Sequence, residues 1–238
     1  MAKLHNRIAI KISTIRTQWL LLLILFSTSL LLPALVIDGV SFSITDKQLA
    51  AIEVRYKTAG RKRVTDWFQL VTSNQDRTLK EKLTLVNDFF NQNTVWVSDY
   101  DHYGIQDYWA TPLELLASGG GDCEDFAIGK YFTLLALKVS MDTLKITYVK
   151  AQNADPVNQS HMVLTYFATP SAMPLVLDNL NPDIKPASER TDLTPVYSFN
   201  GQGLWIAKER SSGKSIAGGS NGISLWRSML LRMGHEFE

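Results

Sequence analysis

The chain has 238 residues, 45% apolar and 20% charged, with 24 basic and 23 acidic side chains and a single cysteine. That length suits one domain of ordinary size with extensions, and the apolar fraction is enough for a real core. Nothing in the near-balanced charge points to nucleic acid, and one cysteine excludes an internal disulfide framework.

Residues 1–18 are basic and polar, and the stretch from Trp19 to Ile37 carries no charge. It is just long enough to span a bilayer, which takes about 20 residues, so an export signal or an N-terminal membrane anchor is expected. Lys3, Arg7, Lys11 and Arg16 precede it without an acid. The positive-inside rule therefore keeps the N-terminus cytoplasmic and places everything from Asp38 outside the cytoplasm. Ser27 and Ser29 give only a weak cleavage site, so a soluble body and one tethered to a membrane both stay open. Three parts are expected: a leader over 1–37, a main domain over 38–210, and a flexible tail with a short terminal helix over 211–238.

Thr45 or Asp46 can cap a helix over Lys47–Tyr56, and Val64–Thr72 reads as a second short helix. Thr78 or Asp76 can cap Leu79–Asn91, whose Leu79, Leu83, Val86 and Phe90 recur on one face as a core stripe. Residues 92–111 are rich in aromatics and Asp. Asp99-Tyr100-Asp101-His102-Tyr103-Gly104 has some likeness to a calcium loop. It fails the EF-hand pattern, which needs Asp or Asn at Tyr103 and Glu at Ala110, so a surface loop lining a cleft is expected. Thr111-Pro112-Leu113-Glu114 has the residues of a capping box with proline at the first helical position.

That helix runs into Gly119-Gly120-Gly121-Asp122-Cys123-Glu124-Asp125-Phe126. A tight glycine turn feeding a helix places the lone thiol in the first turn, where free N–H groups and the positive dipole end favour a thiolate. Three adjacent carboxylates oppose it, so a cation, either a histidinium or a bound metal, should offset them. A lone cysteine is more often a small buried apolar residue than a nucleophile; partners further along the chain decide.

Leu144–Lys150, His161–Phe167 and Leu175–Asp178 read as strands, the last two joined by a turn with two prolines. Pairing residue 167 with 172 sets His161 opposite Asp178, within hydrogen-bonding reach. Val196–Asn200 and Leu204–Ala207 form a last hairpin, Ser211–Gly222 is polar and glycine-rich, and Ile223–Met233 suits an amphipathic terminal helix. The order Cys123, His161, Asp178 suits a thiol nucleophile, its base and the acid that orients the base. His102 is a competing base, in the aromatic loop just before the cysteine.

The segments Trp109–Glu114, Gly120–Asp125, Lys130-Tyr131, His161–Leu164, Leu177–Asn179 and Val196–Asn200 resemble those of bacterial transglutaminase-like cysteine proteinases of the LapG type. The likeness runs from about Val64 to Trp205. It implies an α+β fold with a papain-like, transglutaminase-like core: N-terminal helices, and a cysteine helix packed on an antiparallel sheet that carries His and Asp. It implies a periplasmic endopeptidase that cuts a large surface adhesin near its N-terminus, at a di-alanine site, and so controls biofilm release. It further implies Ca²⁺ dependence and control by an inner-membrane cyclic-di-GMP receptor. By position, Cys123 is then the nucleophile, His161 the base and Asp178 the orienter, while Asp122, Glu124 and Asp125 match the family's calcium-binding acids. Glu124 and Asp125 could instead serve only the helix dipole. A true transglutaminase, or a non-catalytic envelope binding module, are the alternatives.

Overall fold

A computed structural model describes residues 35–37, 40–42, 44–152, 159–206 and 223–237. Helix α1 (Asp46–Ser73) begins at a capping box: the Gln48 N–H donates to the Thr45 hydroxyl at 3.1 Å, and the Thr45 N–H to the Gln48 side chain at 3.0 Å. The two expected helices are thus one element, interrupted by Lys57 with φ 60° and ψ −171°. Apart from Gly60, residues 57–63 include no strong helix breaker. Gly60 is needed because a side chain there would meet the Ala117 carbonyl oxygen at 2.6 Å.

Helix α2 (Leu79–Asn93) starts at Thr78, again through a capping box with Glu81. Leu83, Val86 and Phe90 of its stripe are buried, whereas Leu79, in the first turn, is exposed. Helices α3 (Asp99–Tyr103) and α4 (Pro112–Ser118) follow, α4 with the expected Thr111–Glu114 box. Helix α5 (Cys123–Ala136) is the centre of the molecule: every residue from Asp125 to Ala136 is buried. Its Gly129 lies where a side chain would strike the Phe90 ring, so α2 packs at close range. Helix α6 is Ser224–Arg232.

Strands β1 (Leu35–Ile37) and β2 (Val40–Phe42) pair antiparallel, and β3 (Val95–Trp96) pairs parallel with β4 (Gly120–Gly121). The main sheet holds β5 (Leu144–Ala151), β6 (Gln159–Tyr166), β7 (Leu175–Leu177), β8 (Lys185–Pro186), β9 (Leu193–Phe199) and β10 (Leu204–Ile206). Their order is β10-β9-β5-β6-β7-β8, every pair antiparallel. One face presents Ile146, Met162, Leu164, Leu177 and Phe199 to the helical core. Val149, Val163 and Val176 form a smaller cluster. The fold is therefore the expected α+β arrangement, a cysteine helix on an antiparallel sheet.

Two expectations need correction, and a third falls almost wholly outside the described residues. The β6–β7 register is shifted by two: Tyr166 pairs with Leu175 and Leu164 with Leu177, so the connection is longer than the four residues assumed. A two-residue shift keeps side-chain parity, and residues 161 and 178 still share a face. The uncharged stretch Trp19–Ile37 lies outside the described residues except for its last three, which are strand β1 rather than helix, in keeping with the β-branched Val36 and Ile37. Among the described residues no helix is long and apolar enough to cross a membrane. The polar loop expected over Asn179–Asp192 contributes edge strand β8 and a 3₁₀ turn, Ala187–Glu189.

The terminal helix is part of the core. Trp226 of α6 is buried, stacked on Phe132 at 5.6 Å and edge-on to Phe199 at 5.3 Å. The described residues group as one unit. The serine- and glycine-rich stretch that precedes α6 lies outside the described residues.

Candidate active site

The turn before the cysteine is built to be tight. Gly119 ends α4 with φ +82°, and Arg63 donates to the last carbonyls of that helix, Leu116 at 2.7 Å and Ala117 at 2.8 Å. Gly121 has no room for a side chain, because a methyl there would collide with the Asp125 carboxylate. The chain then enters α5 with Asp122 as N-cap and Cys123 as the first helical residue, the position expected from the glycine run.

His161 and Asp178 meet as the strand pattern requires. The ring Nε2 is 2.7 Å from Asp178 Oδ1, and both side chains are buried. Asp178 Oδ1 also accepts the Leu180 N–H at 3.0 Å, and Oδ2 accepts from Arg190 at 2.7 Å. Burial alone would raise the Asp178 pKa, but His161, the Leu180 N–H and Arg190 together hold it at about 2. Its backbone carbonyl accepts from Lys130 at 3.0 Å and from Asn91 at 2.9 Å, which ties the acid to α5 and α2. The His161 Nδ1 makes no hydrogen bond among the described residues. His102 lies on α3 with its ring against Tyr103, and among the described residues its side chain bonds no carboxylate.

The sulfur lies against the backbone N–H of Met162, the neighbour of His161, and donates to Glu124 Oε2 at 2.9 Å. No hydrogen bond joins it to the His161 ring. Burial first, then the charges of Glu124 and Asp122, push the thiol well above its usual range. Burial, with the carboxylates second, thus works against the thiolate that the helix N-terminus favours.

Asp122 and Glu124 lie together beside the Cys123 sulfur, and two further acids that the sequence did not reveal lie close by. Asp99 of α3 joins Asp122 and Asp125, and joins Asp107 and Glu124, with oxygens within 4.8 Å of one another in each group. The carboxylates of Asp99 and Asp122 each leave a buried Oδ1 without a hydrogen-bond partner. Burial, with repulsion from neighbouring acids, lifts Asp99 to about 6 and Asp122 to about 10. Asp125 is buried, accepts the N–H groups of Ala110 at 2.7 Å and Asp122 at 3.3 Å, and is raised well above the carboxylate range, chiefly by burial. Converging hard oxygens with unsatisfied buried lone pairs are the donor set that a calcium ion takes. The residues present therefore fit that ion, and they exceed what the helix dipole alone could use. The signal for Asp99 was its place in the Asp-Tyr-Asp run. The EF-hand template rejected that run at Tyr103 and Ala110, because it looks for all the acids within one loop, whereas here they converge from separate segments.

The family model for bacterial transglutaminase-like cysteine proteinases matches residues 56–206. Among solved structures, the chain is similar to Legionella pneumophila LapG, at 42% identity and a TM-score of 0.66, covering 81% of this chain and 98% of that one. The EGTA-treated form of Legionella pneumophila LapG matches at 44% identity and a TM-score of 0.69, covering 81% and 98%. Its calcium-bound form matches at 42% and 0.65, covering 80% and 99%. No curated protein sequence matches. On the strength of the family model and of these relatives, the chain belongs to the bacterial transglutaminase-like cysteine proteinases.

Proposed function

We propose that this protease is a calcium-dependent endopeptidase with Cys123 as nucleophile, His161 as base and Asp178 as the acid that orients the base. The observation that carries the reading is the buried His161–Asp178 bond of 2.7 Å, on the strand whose next N–H, that of Met162, meets the sulfur. With Nε2 on Asp178, Nδ1 is the ring atom left to take the thiol proton. The thiol turns from Glu124 to the imidazole, and the sulfur attacks the substrate carbonyl carbon. Backbone N–H groups in the first turn of α5 are placed to stabilise the oxyanion. The imidazolium then protonates the leaving amine, the C–N bond breaks, and a thioester remains. Water, losing its proton to Nδ1, cleaves the thioester and restores the thiol.

Asp99, Asp107, Asp122, Glu124 and Asp125 would hold the calcium ion. Bound there, it would supply positive charge that offsets the carboxylate repulsion opposing the thiolate. Legionella pneumophila LapG has been solved in calcium-bound and EGTA-treated forms, which supports the same ion here.

For the substrate we infer the N-terminal region of a large surface adhesin, cut at small residues in the periplasm to release cells from a biofilm. Sequestration by an inner-membrane cyclic-di-GMP receptor would control the cut. The likeness to LapG and the basic, then uncharged, leader support this reading. The test is incubation of the purified protein with the N-terminal part of a large adhesin from the same cell, with and without Ca²⁺, followed by mass spectrometry. New termini that require both Ca²⁺ and Cys123 are expected. Cross-links with ammonia release would indicate acyl transfer instead, and products from Cys123→Ala would remove the nucleophile assignment.

A further inference from the structure

Asp178 is held on the side away from the histidine as firmly as on the near side. Arg190, between the 3₁₀ turn and β9, brings Nη2 to 2.7 Å from Asp178 Oδ2, with the two side chains 3% and 0% exposed. Asp192 grips the same guanidinium: Nε donates to its Oδ1 at 3.0 Å and Nη2 to its Oδ2 at 2.7 Å. A chain of four side chains, Asp192–Arg190–Asp178–His161, therefore runs to the ring. Resting on the triad assignment above, we propose that Arg190 is a positioning residue: it locks the Asp178 carboxylate so that Oδ1 alone meets His161 Nε2.

The carboxylate torsion of an aspartate is broad and roughly two-fold, so one hydrogen bond at Oδ1 does not fix its plane. Without Arg190, Oδ2 would be a buried acceptor with no donor, and rotation could relieve it only by disturbing the bond to the ring. A guanidinium is suited to the task because it is planar, donates in fixed directions and stays charged at any working pH. Asp192 shares that charge, so Asp178 keeps negative charge to offer the imidazolium that forms during reaction. Fixing Oδ1 on Nε2–H fixes the tautomer, and so keeps the Nδ1 lone pair for the thiol proton.

The experiment uses the full chain labelled with ¹⁵N-histidine, reading the His161 ring nitrogens in the neutral ring together with kcat and KM. The ring signal is assigned from its loss in His161→Ala. Arg190→Met should bring the two nitrogen shifts together, as the tautomers mix, and lower kcat by about ten- to a hundredfold at unchanged KM. Arg190→Lys, which keeps a charge but not the fork, should fall between Met and the wild type. Should Arg190→Met fail to fold, Asp192→Ala decides, since that side chain is 27% exposed and its loss frees the guanidinium on one side. Wild-type nitrogen shifts and kcat in Arg190→Met, or in Asp192→Ala where Met does not fold, overturn the proposal. Full activity in Asp178→Ala would instead end the triad assignment, a result separable from the ring shifts.

Discussion

Lys130 makes a quantitative prediction. It lies on α5 with no exposed surface, its ammonium between Asn87 Oδ1 at 2.9 Å and the Asp178 carbonyl at 3.0 Å. Burial lowers its pKa from the ordinary 10.5 to about 7, with Asp178 and Asp88 pulling the other way. Between those two values the unfolded chain binds more protons than the folded one, so stability rises with pH across that window. The whole depression corresponds to roughly 5 kcal/mol at ~1.4 kcal/mol per pH unit. The part recovered between pH 7 and pH 9 is about 2 kcal/mol. Urea unfolding of wild type and Lys130→Met, at both pH values and with chelator throughout, isolates this group, because the acid cluster is common to both proteins and cancels. Wild type should gain about 2 kcal/mol more than the variant on going from pH 7 to pH 9. An equal gain in the two proteins would show that the ammonium is solvated or paired in a way the geometry does not contain.

Three further outcomes follow from named contacts. His161→Ala and Asp178→Ala should each lower kcat/KM at least about a hundredfold in an adhesin-fragment cleavage assay. His102→Ala should stay near wild type there, and its inactivation alone would move the base to α3. Asp99→Asn should weaken Ca²⁺ roughly tenfold or more in a chelator-competition titration, since it removes a charge from the ligand set. Unchanged affinity would take Asp99 out of that set. Trp226→Ala should destabilise the protein by about 3–5 kcal/mol in urea, as expected for a buried aromatic. A loss under about 1 kcal/mol would mean that α6 is not part of the core.

What the sequence made legible was local. Thr45, Thr78 and Thr111 each precede a helix with Gln or Glu three residues on, and each forms a capping box. The glycine run located the helix start at Cys123 because a backbone signal of that kind depends on neighbours alone. The His161–Asp178 pairing was recovered although its register was wrong by two, because parity depends only on odd and even positions. What stayed hidden depends on tertiary return. Asp99 and Asp107 reach the acid cluster from a segment well before the cysteine helix, and Arg190 reaches Asp178 from beyond β8. Gly60 offers a mixed case: a side chain there would meet Tyr56, a near neighbour, and also the Ala117 carbonyl of α4, which returns from far along the chain.

The nucleophile and the acid cluster share one stretch of backbone, which limits how independently they can behave. Asp122 caps α5, Cys123 follows it, and Glu124 takes the thiol proton's hydrogen bond. Asp125 accepts the Asp122 N–H and that of Ala110, so it fixes both the helix start and the approach of the preceding loop. Any change in the charge held by these carboxylates therefore acts on the sulfur twice: through the field at Cys123, and through the position of the turn that carries it. A variant that keeps the charge but moves the turn, such as Asp125→Glu, should then depress thiol alkylation even at saturating Ca²⁺. If added Ca²⁺ restores the wild-type alkylation rate, the field alone governs the sulfur and the turn does not.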